Sequence, residues 1–173
     1  MKIKPTGDQK KMLAYLLAGG MSLSAAISGV FLTAPSEGLK TTAYLDPVGI
    51  ATTCYGHTGP EVKVGKVYTH TECLNLFAED LGKAEEDVDA VIHVPLNPYQ
   101  KAGLIDFAFN IGRTKFSTSQ MAKLFNQGKY IEGCRQLVNW VYAGKKKLPG
   151  LEVRRQGELG FCLGTTEIED VQD

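Results

Sequence analysis

The sequence carries no net charge, no internal repeat and no low-complexity stretch, and it holds a single tryptophan in 173 residues. With 19 basic and 19 acidic residues, global charge argues for neither nucleic acid nor an anionic partner. Without repeats or linkers, a chain of this length suits one globular domain with a small appendage. A domain of about 150 residues buries roughly two-thirds of its unfolded surface.

Charge is also missing locally. Residues 12–34 contain no charged side chain, a run of 23, and a bilayer core needs about 20. They contain no cysteine either, which excludes control by disulfide exchange within this stretch. Ala, Gly, Ser and Thr supply 12 of the 23, with Gly19-Gly20 in the middle, so the run is a weak membrane span. Lys2, Lys4, Lys10 and Lys11 precede it against only Asp8. That bias predicts an N-terminus (1–11) left in the cytoplasm and everything after Ala34 exported. A cleaved signal peptide, with Ala26-Ile27-Ser28 as its exit, and a buried core helix are the competing readings. The run is long for a signal core and Pro35 spoils the site after Ala34, so we expect an uncleaved signal anchor over 12–34. In an exported domain Cys54, Cys73, Cys134 and Cys162 are expected to form two disulfides. Three pairings are open; chain locality favours Cys54 with Cys73 and Cys134 with Cys162.

Beyond Ala34, residues 43–45, 50–55 and 62–67 are short β-branched and aromatic runs. Asp46-Pro47, Gly49, Gly56 and Gly59-Pro60 separate them, which predicts two or three antiparallel strands. Thr69 and Glu72 have capping-box spacing. They open an amphipathic pattern through Leu74, Phe77, Leu81, Ala84, Val88 and Val91, a helix of about 30 Å. Asn97-Pro98 starts the next helix. Ser117 or Thr118 can cap a third, and apolar stripes over 131–141 and 151–162 predict two more. The expected fold is α+β: a small antiparallel sheet lobe joined by a long helix to a helical lobe, preceded by a weak transmembrane helix.

The chemistry concentrates between Glu37 and Gly59. Glycosidic bond cleavage needs an acid to protonate the leaving oxygen and a second carboxylate to activate water or attack the sugar. Glu37 stands where the apolar run meets the sheet, and Asp46 lies at a solvent-facing turn nine residues on. Carboxylates in unlike environments suit an acid/base pair. Thr52, across the predicted hairpin, offers a hydroxyl to fix a water. A different reading takes Cys54-x-x-His57 and His70-x-x-Cys73 as a zinc set; thiols oxidise in an exported chain, and Cys134 and Cys162 would be left over. No metal and no other cofactor is expected. Lys145–Lys147 with Arg154 and Arg155 read as a solvated face or as a patch for an acidic wall or membrane surface.

The stretch EGLKTTAYLDPVGIATTCYGHTG resembles the active-site segment of the phage-type lysozymes, glycoside hydrolase family 24, in Glu37, Asp46, Thr52 and Gly56-His57. The resemblance continues through TECLNLFAEDL, GLIDFAFNIG and WVYAGKKKLPGLEVRRQGELGFC, and covers roughly 36–164. The uncharged N-terminal run is similar to that of the signal-anchor-release endolysins of tailed phages. The resemblance implies a lysozyme domain over 35–164; residues 165–173, with Glu167, Glu169, Asp170 and Asp173 and no base, are expected to be an acidic tail. It implies hydrolysis of the β-1,4 bond between N-acetylmuramic acid and N-acetylglucosamine in peptidoglycan, by inversion and followed by lysis of the host. Glu37 would be the general acid, and Asp46 with Thr52 would position water. Phe109, Asn110, Thr58, Ser119 and Gln136 would contact substrate, Thr58 and Gln136 departing from the usual residue type. His57 would be structural, paired with Asp80. The partners implied are peptidoglycan, the host export machinery and the inner membrane through 12–34, with no nucleic acid. The protein would be a monomer, first single-pass with its catalytic domain in the periplasm, then released there. A lytic transglycosylase needing only Glu37, or a non-catalytic anchored peptidoglycan-binding protein, are the alternatives.

Overall fold

A computed structural model describes residues 1–169; residues 170–173, the end of the expected acidic tail, lie outside the described residues. After a two-residue strand β1 (Lys2–Ile3), Thr6 and Gln9 form a capping box that starts helix α1 (Gly7–Ala18). The helix ends at Gly19-Gly20, where Gly20 takes φ +86°, a conformation that costs other residues energy. Ser22 then caps α2 (Leu23–Ser28), a π-helical turn follows over Gly29–Thr33, and α3 (Ala34–Glu37) stops at Gly38, φ +70°. The uncharged run is therefore broken into pieces. Among the described residues no helix is long and apolar enough to cross a membrane.

These pieces form part of the core. Ala25, Ala26 and Ile27 are fully buried, and α2 packs on α5 (Pro98–Ile111). A Cβ on Gly29 would come within 2.5 Å of Leu81, so the small residues that weaken the run as a span let it lie against its neighbours. Its polar groups find partners as well. Ser22 donates to Glu85 at 2.7 Å, and the Thr33 hydroxyl reaches Asp106. The buried-helix reading describes this packing.

The sheet orders β2 (Lys40–Leu45), β3 (Ala51–Cys54) and β4 (His57–Thr58) antiparallel. The expected strand over 62–67 does not form; it supplies one bridge, Thr42 to Val67, and Val64 and Val67 are exposed. Gly59-Pro60 and Gly65 turn the chain there, and Gly65 has positive φ. The long helix α4 (His70–Val91) has the Thr69–Glu72 capping box and buries Leu74, Phe77, Leu81, Ala84 and Val88. The helical lobe continues through α5, α6 (Arg113–Ser117), α7 (Gln120–Asn126), α8 (Tyr130–Arg135) and α9 (Pro149–Cys162).

Three elements depart from the sequence expectation. Ser119, not Ser117 or Thr118, caps α7, its hydroxyl accepting from the Ala122 N–H. The stripe over 131–141 is only α8 and one 3-10 turn, since Ile131 and Val138 face solvent; a hairpin of β5 (Tyr142–Ala143) and β6 (Lys146–Lys147) follows. And β7 (Glu167–Ile168) pairs in parallel with β1, with Ile168 buried against Ile27, Leu32 and Phe161. The two chain ends, read from sequence as separate appendages, are joined. Disulfides link Cys54 to Cys73 and Cys134 to Cys162, one tying the sheet to α4 and the other tying α8 to α9.

Candidate active site

Glu37 is the last residue of α3, and its side chain is about one-quarter exposed. The Arg154 Nη1 donates to its Oε1 at 2.7 Å. Its Oε2 lies against Gly56, where a Cβ would approach to 3.0 Å; a side chain there would push on the carboxylate. Gly56 also needs its φ of +81° for the corner between β3 and β4, so glycine meets both demands.

Asp46 ends the β2 side of the hairpin and is half-buried. The backbone N–H groups of Val48 and Ile50 donate to its Oδ1 at 2.9 and 2.8 Å, which fixes the carboxylate by a local turn. Thr52 faces Tyr44 in the register, so it is the diagonal neighbour of Asp46 and not its direct partner. Its hydroxyl, buried, donates to the Ile50 carbonyl at 3.1 Å and keeps lone pairs to accept a hydrogen bond from water.

Behind Glu37 lies a buried charged cluster. Arg154 donates to both oxygens of Asp106, Nε to Oδ2 at 3.0 Å and Nη2 to Oδ1 at 2.7 Å, and Asp106 is fully buried. Burial alone would lower the Arg154 pKa, but the charges and hydrogen bonds of Asp106 and Glu37 outweigh it and raise the value, so the guanidinium stays charged. The neighbouring Arg155 donates to Glu158, to Asn110 Oδ1 and to the Trp140 carbonyl. Burial, and then the Asp106 charge, push Glu158 well above the usual carboxyl range, with Arg155 opposing. Neither arginine lies on a solvated or wall-facing patch; they are 7% and 1% exposed. Arg155 at i+3 and Arg154 at i+4 spacing to Glu158, the latter 3.7 Å from it, are the sequence signal on α9 that points to this cluster.

His57 is 4% exposed and sits between two carboxylates, Nδ1 to Asp80 and Nε2 to Glu61, each at 2.7 Å. Burial lowers its pKa, but hydrogen bonds to Glu61 and Asp80 and their charges reverse that and leave it raised. Glu61, four residues on, was not among the sequence candidates.

The expected substrate contacts divide. Thr58 and Phe109 line one hollow of about 240 Å³ with Gly56, Lys83, Asp87 and Gly112. Ser119 is buried as a helix cap, Asn110 is held by Arg155, and Gln136 lies half-buried, accepting from Asn139 at 3.3 Å. A larger hollow of about 890 Å³ runs between the end of α1 and the acidic face of α4 and holds none of the candidate residues. The sulfurs of Cys54 and Cys73 are bonded to each other and are not free as thiolate ligands. No group of three or more potential metal ligands lies together among the described residues.

Comparison with known proteins follows the same layout. The phage lysozyme family model matches residues 34–158, from the start of α3 through Glu158. The SAR-endolysin of Enterobacteria phage PA-2 is 36% identical over 159 residues, 89% of this chain and 94% of its own. Among solved structures, the muramidase domain of SpmX from Asticaccaulis excentricus matches with TM-score 0.72 and 31% identity, over 79% of this chain and 95% of that one. The active form of the P1 phage endolysin Lyz shares the fold at TM-score 0.79 and 21% identity, over 91% of this chain and 94% of that one. With its half-buried glutamate, turn-held aspartate and disulfide-tied sheet lobe, the chain belongs to the phage lysozyme family and is a glycosidase of the lysozyme type.

Proposed function

We propose that the protein is an endolysin that hydrolyses the β-1,4 bond between N-acetylmuramic acid and N-acetylglucosamine in peptidoglycan, by inversion. Glu37 is the general acid. Arg154 holds one of its oxygens and leaves the other to carry the proton to the leaving oxygen. Asp46, held by two backbone amides, and the Thr52 hydroxyl position the attacking water on the opposite face of the sugar ring. Inversion calls for about 6.5–9.5 Å between the carboxyl groups, room for that water. Thr58 and Phe109, which share a hollow, contact the sugar chain. The observation that carries this reading is the unlike fixing of the two carboxylates, one by a buried guanidinium and one by an exposed turn.

Before acting, the protein is held in the host inner membrane by residues 12–34, with residues 1–11 in the cytoplasm and the catalytic domain in the periplasm. Two things support this: the absence of charge over those residues, and relatives described as SAR-endolysins. The span requires α1 from Met12 on, α2 and the π turn to straighten into one helix up to Ala34, and release lets them fold back as they stand here. Only Pro35 and Ser36 separate Ala34 from Glu37, so at about 3.5 Å per residue the tethered acid stays within about 10 Å of the bilayer.

A turbidity assay on outer-membrane-permeabilised cells, comparing wild type with Glu37→Gln, tests the catalytic assignment. Clearing by wild type and none by the variant is expected. Analysis of the muropeptide ends separates hydrolysis from transglycosylation: free reducing ends support the proposal, and 1,6-anhydro ends defeat it.

A further inference from the structure

Thr33 belongs to none of the motifs considered above, and it sits in the π turn at the end of the uncharged run. It is fully buried, and its hydroxyl donates to Asp106 Oδ1 at 2.8 Å. The same oxygen accepts from Arg154 Nη2, the other from Arg154 Nε, and Arg154 Nη1 donates to Glu37 Oε1. Residue 33 is thus wired to residue 37 through α5 and α9, by hydrogen bonds between 2.7 and 3.0 Å.

We propose that Thr33 is a positioning residue for the reaction: its hydroxyl sets the plane of the Asp106 carboxylate, which sets the guanidinium of Arg154, which aligns Glu37. The proposal rests on Glu37 being the general acid. The physical reason is geometric. An aspartate carboxylate turns easily about its last torsion, whereas the guanidinium is a planar fork that follows whatever plane it is paired with. Asp106 Oδ1 receives two donors from different elements, Thr33 and Arg154, and these fix that torsion. With the hydroxyl removed, the paired planes of Asp106 and Arg154 rotate together, and the Nη1 that holds Glu37 moves with them. The widened π turn makes the contact possible, because it brings Thr33 back beside Ser28, whose carbonyl lies 3.2 Å from the same hydroxyl.

The test is steady-state kinetics on purified peptidoglycan with Thr33→Val, which keeps the shape and removes the hydroxyl, and Thr33→Ser, which keeps the hydroxyl. We expect Thr33→Val to lower kcat by about 10- to 100-fold with KM unchanged, and Thr33→Ser to restore kcat. In an Arg154→Lys background, where the fork is gone, Thr33→Val should add little further loss, a non-additivity that a packing defect would not produce. Should Thr33→Val fold too poorly to assay, Thr33→Ala takes its place with the same expectation. Equal losses in the Val and Ser variants, or full additivity with Arg154→Lys, would overturn the proposal. Wild-type kcat in Thr33→Val beside an inactive Glu37→Gln defeats the relay alone, while full activity in Glu37→Gln defeats the acid assignment beneath it.

Discussion

At the scale of single residues, His57 shows how partners decide a charge. A histidine with one carboxylate partner has one free nitrogen; His57 has both nitrogens engaged, by Asp80 and Glu61, and its pKa is raised. Below about pH 6.5 the imidazole is protonated in folded and unfolded chains alike, and the clamp contributes fully. As pH rises through the raised folded value, that contribution is lost. His57→Gln should therefore lower Tm more at pH 6 than at pH 9, at about 2–4 °C per kcal/mol for a chain of this length. Thermal unfolding followed by circular dichroism at both pH values checks this, and an equal drop at both would contradict it. Glu61 sits at i+4 to His57 in a loop, where helical spacing gives no reason to look, and the turn after Gly59 is what brings it back.

At the scale of elements, the cluster behind Glu37 depends on how closely α5 and α9 approach. A Cβ on Gly103 would stand 2.9 Å from the Glu158 carbonyl, a backbone atom that cannot step aside. Gly103→Ala should destabilise the fold by about 1–3 kcal/mol, read from the urea midpoint. It should also lower kcat, because Asp106 lies on α5 and Arg154 on α9. Unchanged stability would mean that the helices have slack that the structure does not show. The uncharged run belongs to this scale as well. Of its two central glycines, Gly20 needs φ +86°, whereas Gly19 has φ −74° and a Cβ there would come no closer than 3.4 Å to its neighbours. Gly19→Leu therefore strengthens the proposed span at a position whose backbone and Cβ the folded form accommodates. We expect delayed lysis and more protein in the membrane fraction; prompt lysis with normal release would argue against anchoring by 12–34.

At the scale of the molecule, the β1–β7 pair joins residues 2–3 to 167–168, and the backbone N–H groups of Glu167 and Glu169 donate to the carbonyls of Met1 and Ile3. A chain threaded through a membrane, with residues 1–11 on one side and the domain on the other, cannot make this pair. All four native cysteines are in disulfides, so two new ones report cleanly. In Lys2→Cys/Glu167→Cys the new disulfide should form in released protein and be absent from the membrane fraction. Its presence in membrane-bound protein would refute the proposed topology.

Local pattern alone was enough for the long helix and the hairpin carrying Asp46 and Thr52, whereas the pairing of His57 with Asp80, 23 residues apart, was implied only by the family resemblance. Capping boxes, turn residues and apolar periodicity act over a few residues, and a sequence displays them directly. The disulfide pairing followed from chain proximity for a similar reason. Tertiary structure decided the rest. Arg154 and Arg155 read as surface charge because a sequence shows their charge but not the buried Asp106 and Glu158 and the half-buried Glu37 that compensate it. The strand over 62–67 read as a strand because composition cannot register that the turn at Gly65 limits its pairing with β2 to one bridge and a few bonds to Thr41 and Ala43. The run over 12–34 has the composition of a membrane span and of a core segment at once. Small residues, three glycines and a few hydroxyls satisfy either solvent, so its place in this structure was settled by the surfaces of α4 and α5 against which it packs.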